Sequence, residues 1–234
     1  MNKTLLPAIT LSVALPFSAL ARDLEVELTN LTHGSYFTPL LVATHNRHLD
    51  LFEVGTSAST ELRAMAEGGD TSGLITAVAN VGGSYVDNPA GGLLAPGQKV
   101  TANLDAGNIS NKRLSIVAMI LPTNDGFVGL DSLTIPKIPG TYTYYLHAYD
   151  AGTEANDEII NGGGTPGVPG IPTAPGADGG TGAMGVTMNE TNTQVHIHRG
   201  VLGDDDPLGG NSDLDSTVHR WLNPVARLVL KVGG

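Results

Sequence analysis

Four carboxylates crowd the stretch YDAGTEANDE, residues 149 to 158. They are Asp150, Glu154, Asp157 and Glu158. Calcium binds six to eight oxygen ligands, usually carboxylates on loops of a rigid scaffold. Gly152 permits a tight turn, so Asp150 and Glu154 can fold back to a common point. The stretch lacks the D-x-D-x-D-G pattern of an EF-hand, so its spacing leaves two interpretations open, a cation site or a solvated loop.

Histidines form a second candidate metal site. His196 and His198, in VHIH, have the i, i+2 spacing that places both rings on one face of a strand. His45 and His48, in THNRH, would join them if the early segment pairs beside the late strand. Imidazoles grouped in this way bind zinc or copper. The alternative is that these histidines are polar residues of an exposed strand or hydrogen-bonded packing residues.

A further acidic segment, GDDDPLGGNSDLDS, contains five aspartates. They are Asp204, Asp205, Asp206, Asp213 and Asp215. A second calcium ion is one interpretation of this segment, but a hydrated run of charge is the favoured one.

The first 21 residues have the features of a secretory signal peptide. Lys3 is followed by an apolar run, and the segment closes on the small-x-small pattern Ala19-Leu20-Ala21. No later segment approaches ~20 continuous apolar residues, so no membrane-spanning helix is predicted. The sequence therefore predicts that residues 22–234 form a single domain that is exported, either to the periplasm or out of the cell.

The exported part of the chain is strongly acidic. Without the signal peptide it carries 11 Lys+Arg against 23 Asp+Glu, a formal charge of −12. Such a charge repels nucleic-acid phosphates, and no basic patch is visible along the sequence, so cations are the favoured partners. The chain has no cysteine, which excludes disulfides, thiolate metal sites and cysteine nucleophiles.

The elements that must position these side chains are mostly strands. DLEVELTNLT and VARLVLKV alternate apolar and polar residues with the period of a half-buried strand. The run from Leu114 to Leu121 is apolar on both faces, as expected for a strand covered on both sides. Further strands are predicted in KVTANLDA, TYTYYLHAYD and TQVHIHRG.

Helices and one long loop complete the expected elements. SASTELRAMAEGG has Ser and Thr as cap candidates and Gly68-Gly69 as a stop, and a second helix is predicted over SGLITAVAN with Asp70 as its cap. Residues 161–185 contain ten glycines and four prolines in 25 positions. That composition predicts a long surface loop.

Four ordered motifs resemble the spondin domain family, the F-spondin-type module. ILPTNDGFVGLDSL, followed about two dozen residues later by YDAGTE, is similar to P-S-P-D-W-x-V-G-(V/L) followed by D-A-G-T-D. LDLFEVGTSASTELRAMAEGG resembles the family segment L-W-x-(Y/F)-G-x-x-A-S-x-G-(V/L)-x-x-x-A-E, and PVARLVLKV resembles the closing V-A-R-V strand. The resemblance covers residues 24 to 154 and 218 to 232.

The resemblance implies an all-β fold, an antiparallel β-sandwich with one or two short helices, and a calcium site at one end of the sheets. By motif, the implied ligands are Asp105, Asp125, Asp150 and Glu154. Asp105 would enter the long buried strand, Asp125 would leave it, and Asp150 lies one strand further on, so we expect the three strand ends to converge. The chain departs from the family at Gly126, where the family has Trp, and at Glu154, where it has Asp.

The expected function is a secreted, non-enzymatic, calcium-binding module for adhesion or interaction with an extracellular protein or glycan surface. The alternative is a periplasmic copper- or zinc-binding protein that uses His45, His48, His196 and His198. Catalysis is not expected, because the sequence has no G-x-S-x-G elbow, P-loop or GxGxxG motif. Carboxylates bound to calcium are also poor general acids, since the ion lowers their pKa.

Overall fold

The computed structural model describes residues 23–105, 110–175, 179–186 and 189–233. The predicted signal peptide lies outside these described residues. Within them, no helix has the length and apolar character that crossing a membrane requires.

Ten strands and two helices follow one another along the described chain. In order they are β1 (Asp23–Asn30), β2 (Tyr36–Phe37), β3 (Leu41–His45), α1 (Thr60–Gly68), α2 (Ser72–Asn80), β4 (Ser84–Asp87), β5 (Lys99–Asp105), β6 (Arg113–Leu121), β7 (Gly126–Thr134), β8 (Gly140–Asp150), β9 (His196–Ile197) and β10 (Ala226–Val232). All pairings between these strands are antiparallel. The predicted antiparallel all-β class with short helices is confirmed.

Strand β8 connects the two layers of the fold. Its first part, from Gly140 to Leu146, pairs with β10, and its last part, from His147 to Asp150, pairs with β7. Beyond β10 the order continues to β1 and β5, and beyond β7 it continues to β6, β3 and β4. Strand β5 also lies against β4, so the sandwich is nearly closed into a barrel.

Two apolar clusters hold these layers together, and β6 contributes to both. The inner cluster lies between the layers and takes Leu114, Ile116, Ala118 and Ile120 from β6. The outer cluster lies under the helices and takes Val117, Met119 and Leu121. Successive side chains of a strand point to opposite faces. The prediction that this run is covered on both faces is therefore confirmed.

The two helices cover the outer cluster, and their ends follow the local sequence. The Ser59 hydroxyl accepts a hydrogen bond from the Leu62 amide at 3.0 Å, and Gly69 ends α1 with a φ of 73°. Both signals were predicted from the sequence. Helix α2 covers the predicted residues SGLITAVAN, but Thr71 rather than Asp70 occupies its cap position. The Asp70 carboxylate accepts a hydrogen bond from the Ser72 amide at 2.9 Å.

The Gly/Pro-rich segment has no helix or strand element in its described part, but it is not merely a surface loop. Ile171 and Ala174 are buried in the outer cluster. A hydrogen bond joins the backbone of the segment to α1: the Gly167 amide donates to the carboxylate of Glu67 at 2.6 Å. The segment therefore packs on α1.

The strand registers define two opposite ends of the structure. At the carboxylate end, β6 finishes at Leu121 and Gly126 pairs with Asp150. At the arginine end, Arg113 pairs with Thr134. Strand β6 runs from one end to the other, so the two ends are about 26 Å apart at ~3.3 Å per residue.

Candidate functional site

Asp125 closes the turn between β6 and β7 at the carboxylate end. The Thr123 hydroxyl donates to the Ile120 carbonyl at 2.6 Å, and the Gly126 amide donates to that hydroxyl at 3.0 Å. These bonds fold the turn onto the sheet, and Asp125 is fully buried. The turn therefore holds a carboxylate inside the protein, where a charge is costly unless it is compensated.

Gly126 explains why this chain departs from the family motif after the aspartate. A β-carbon at this position would lie 2.7 Å from the Thr123 hydroxyl oxygen and 3.0 Å from Cδ2 of His198. No side chain fits there without moving these neighbours. His198 thus occupies space beside the backbone where the family pattern places a tryptophan.

Asp150 leaves the sheet beside Asp125. Gly126 and Asp150 are paired, and the Ala151 amide donates to the Asp125 carbonyl at 3.2 Å. The two Asp150 carboxylate oxygens accept from the Gly152 amide at 2.8 Å and from the Asn156 side chain at 2.7 Å. The predicted turn at glycine is present, since Gly152 has a φ of 70°.

The two carboxylate oxygens of Asp125 have very different surroundings. Oδ2 accepts three hydrogen bonds, from the Thr153 amide at 2.7 Å, the Thr153 hydroxyl at 3.1 Å and the Glu154 amide at 3.1 Å. Oδ1 is buried and has no hydrogen-bond partner among the described residues. Burial raises the pKa of Asp125 to about 7, and the charge of Asp150 adds to this, while the bonds from Thr153 and Glu154 oppose it.

Glu154 is a second buried carboxylate of the same loop. Its Oε2 accepts from the Gly170 amide at 3.0 Å and from the Asn124 side chain at 3.4 Å, while Oε1 is buried without a partner among the described residues. Burial is the main cause that raises the pKa of Glu154 to about 7, and the hydrogen bond from Gly170 opposes it. Its carboxylate is thus directed toward the Gly/Pro-rich segment.

Asp105 does not join these acids, and the expected convergence of three strand ends is wrong for this residue. Asp105, at the end of β5, pairs with Asp23 of β1. The next residue of β1, Leu24, pairs with Val232 of β10, which in turn pairs with Gly140, so this end of β5 lies level with the start of β8. Gly140 and Asp150 are the two ends of β8. The distance between Asp105 and Asp150 therefore exceeds about 20 Å. The entry and exit of one strand lie at opposite ends, so Asp105 and Asp125 cannot share an ion across β6.

The expected four-histidine site does not form either. His45 lies at the arginine end, paired with Arg113, and its ring contacts the Ser115 hydroxyl at 2.8 Å. His48 is exposed in the turn that follows. His196 lies at the carboxylate end, where it pairs with Asp150. The early segment pairs with β6 rather than with β9, so the two pairs of rings are separated.

His196 and His198 instead flank the acids. Nδ1 of His196 is 3.8 Å from an Asp150 carboxylate oxygen. His198 is buried against Trp221, with ring centres 5.0 Å apart, and its Nδ1 accepts from the Gly200 amide at 3.0 Å. Burial lowers the pKa of His198 to about 4, against the opposing influence of Asp150. This imidazole is therefore neutral at physiological pH.

Two further residues organise the site: Glu158, one of the four acids of YDAGTEANDE, and Asn124, which was not predicted from the sequence. Glu158 is buried, and its carboxylate accepts from the amides of Leu202 and Gly203 and from the hydroxyl of Ser212, at 2.6, 2.8 and 2.6 Å. The Asn124 side chain donates to Asp157 at 2.8 Å. Its position next to Asp125 was the one available signal, because asparagine often stabilises turns.

Aspartates of the second acidic segment accept hydrogen bonds from backbone amides, both within the segment and outside it. Asp204 accepts from the amides of Asp206, Asn211 and Ser212. Asp213 accepts from the Ile160 amide at 2.7 Å and from Thr181. These bonds contribute to the folding of the segment.

Across the described residues, no group of three His, Asp or Glu side chains is close enough to hold a metal ion by itself. Two carboxylates, Asp125 and Asp150, are close enough for the charge of Asp150 to raise the pKa of Asp125. An oxygen-rich pair of this kind suits a hard cation. Zinc and copper prefer grouped imidazoles or thiolates.

Comparison with known proteins gives one family. The family model described as Spondin_N matches residues 29–159, more than half of the chain. This range contains the turn of Asp125, the end of β8 and the loop through Glu158. A search of curated proteins found no significant match.

Proposed function

The chain belongs to the Spondin_N family, an extracellular type of module, and we propose that it is a secreted, non-enzymatic interaction domain that binds calcium through Asp125 and Asp150. Glu154 is the candidate third carboxylate. Asp105, His45 and His48 are not part of this proposal, because they lie at the other end of the fold. His196 and His198 lie beside the acids but offer nitrogen ligands, and calcium prefers oxygen.

The observation that carries the proposal is the buried Oδ1 of Asp125, which has no hydrogen-bond partner among the described residues. An unpaired buried carboxylate oxygen costs on the order of 1–3 kcal/mol or more. A second carboxylate, Asp150, lies beside it and is also buried. Two buried anions in contact are stable when they are protonated or when a cation lies between them.

The carboxylate oxygens of these residues are the kind of ligand that calcium prefers. Asp125 and Asp150 would hold it, and Oε1 of Glu154 is a further buried oxygen for which the described part of the chain offers no hydrogen-bond partner. When bound, the ion would supply two positive charges to a loop cluster that otherwise concentrates negative charge. The hydrogen bonds from Thr153 and Glu154 fix Asp125, so the carboxylate is already oriented.

The same burial argues against catalysis at these acids. Asp125 is 0 % and Asp150 is 1 % exposed. One Asp125 oxygen is fully engaged by the backbone and hydroxyl of the next loop. A general acid or base must come within hydrogen-bond reach of a substrate, and a carboxylate sealed in this way stabilises loops instead. We infer that the loops of the carboxylate end, once held together, form the surface that contacts an extracellular protein or glycan.

Thermal unfolding with and without calcium tests the proposal. At a calcium concentration a hundred times the Kd, the folded state should gain about 2.7 kcal/mol. The protein is first stripped with EDTA, and its Tm is then measured in calcium, in magnesium and in EDTA. Asp125→Asn should abolish the calcium-dependent rise in Tm, while the matched control Asp205→Asn, at an exposed acid of the second acidic segment, should retain it. An unchanged Tm in calcium would refute the proposed site.

A further inference from the structure

The arginine end contains a cleft that has no part in the carboxylate site. Its volume is about 520 Å³, within the range of small-molecule sites. The cleft lies where β3 ends, β6 begins and β7 ends. Its lining includes Asn46, Arg47, His48, Lys112, Arg113 and Thr134.

The charge of this lining is opposite to that of the protein. Arg47, Lys112 and Arg113 contribute three positive charges, and no Asp or Glu of the described chain lines the cleft. Arg47 and Lys112 form no ion pair with a described carboxylate. Three neighbouring cations repel one another, so their grouping in a chain with 23 acids favours an anionic ligand.

One of the three cations, Arg113, is held by hydrogen bonds, and the turn that carries Arg47 is held through Asn46. Nη1 of Arg113 donates to the Ser132 carbonyl at 3.2 Å and to the Thr134 hydroxyl. On the other wall, the Asn46 side chain donates to the Val81 carbonyl at 3.1 Å and accepts from the His48 amide at 2.8 Å. The guanidinium of Arg113 and the turn that carries Arg47 therefore face the same space in fixed positions.

Among the acids at this end, Asp105 lies at the end of β5 and outside the cleft lining, and Asp131 and Asp50 are committed to other partners. One Asp131 oxygen accepts from the Leu51 amide at 2.7 Å and from the Ser115 hydroxyl at 3.3 Å, and burial raises the pKa of Asp131. Asp50 accepts from the Ser132 hydroxyl at 2.7 Å. The larger concentration of acids, at the carboxylate end, is about 26 Å away, beyond the Debye length of about 8 Å at physiological salt.

We propose that this arginine-end cleft binds an oxyanion group, a phosphate or sulfate ester carried by a small molecule or a glycan unit. Arginine presents several N–H donors in a planar fork that matches tetrahedral oxyanions, and lysine adds a mobile charge. The cleft volume accommodates a ligand of about monosaccharide size. The inference does not depend on calcium binding, since the two sites lie at opposite ends of the fold.

Calorimetry with three probes tests the proposal: glucose 6-phosphate, glucose 6-sulfate and glucose. The titrations are run in EDTA, so that no divalent ion bridges the anion to the carboxylate end. At least one ester should bind with a Kd below about 1 mM, and glucose should not bind. The ester that binds more tightly shows whether the natural ligand carries a phosphate or a sulfate group. If neither ester binds below about 10 mM, or if glucose binds as well as the esters, the proposal is wrong.

Two exposed positions provide the variants, because neither supports the fold. Arg47→Gln and Lys112→Gln should each weaken ester binding about five- to tenfold, and raising the salt concentration should weaken it in the wild type. Arg220→Gln is the matched control, since Arg220 is exposed and lies outside the cleft lining. If Arg220→Gln weakens binding as much as Arg47→Gln does, the attraction is general and the cleft is not the site.

Discussion

Asp125 and Asp150 lie side by side at one edge of the sheet, although 24 residues separate them in the sequence. Their backbones are joined where the Ala151 amide donates to the Asp125 carbonyl at 3.2 Å. Asp125 is buried to the point that its pKa rises to about 7, with the charge of Asp150 adding to the effect of burial. The stability of this end of the sheet is therefore expected to depend on pH.

Asp125→Asn should change how stability depends on pH in the absence of calcium. As the pH rises from about 4 to 7, the unfolded chain releases this proton while the folded protein retains it, so the wild type loses stability. The loss reaches at most about 4 kcal/mol. Asparagine cannot ionise, so the free energy of unfolding of the variant, relative to that of the wild type, should rise between pH 4.5 and pH 8. Urea unfolding in EDTA at both pH values measures the difference, and an equal pH dependence of the two proteins would contradict the assignment.

His198→Phe should act in the opposite direction. The pKa of His198 in the folded protein is about 4, below its usual value near 6.5. Between these pH values the unfolded chain binds a proton that the folded protein does not, so stability rises with pH. Phenylalanine keeps the contact with Trp221 but cannot bind a proton, so the increase of stability with pH should be smaller in the variant. Urea unfolding from pH 4 to 7 measures it, with exposed His48→Phe as a control that should follow the wild type.

Asp105→Asn should leave calcium binding unchanged. Asp105 lies at the arginine end of β5, more than about 20 Å from Asp150. Calcium contacts oxygens at about 2.4 Å, so a residue at this distance cannot be a ligand. The calcium-dependent shift in Tm should equal that of the wild type. A shift reduced as far as in Asp125→Asn would mean that the register of β5 is wrong.

Gly126→Ala should destabilise the protein by about 1–3 kcal/mol. The new methyl group would lie 2.7 Å from the Thr123 hydroxyl oxygen and 3.0 Å from the ring of His198. Gly179→Ala is the control, because a β-carbon there meets nothing within 4 Å. Chemical denaturation of both variants provides the comparison, and equal stability would show that the space beside Gly126 can open.

Glu158→Ala should cost about 2–4 kcal/mol, because it leaves two partly buried amides and one buried hydroxyl without their acceptor. Glu158→Gln keeps one oxygen and should cost less. Glu53→Ala, at an exposed position, should change stability by less than about 0.5 kcal/mol. Hydrogen exchange of the Leu202 and Gly203 amides should increase in Glu158→Ala alone, and unchanged protection would exclude this role.

Local features were predictable where short-range physics decides them. The alternation of Leu24, Val26 and Leu28 placed one face of β1 inside, and all three are buried. The hydroxyl of Ser59 and the left-handed Gly69 set the limits of α1 because capping involves only neighbouring residues. The ordered motifs likewise identified the family that the comparison confirmed.

The amino-acid sequence by itself determined several of the long strands and which of their faces are apolar, since the pattern of apolar residues lies within a single segment. It did not predict β2, β4 or β7. Only the tertiary structure decided which strand ends meet. Asp125 meets Asp150 because β7 pairs with β8, whereas Asp105 and the early histidines lie at the opposite end through the pairings of β5 and β3. The basic cleft was hidden for the same reason, because Arg47 and Lys112 come together only when β3 pairs with β6. Register between distant segments is a property of the whole packed sheet.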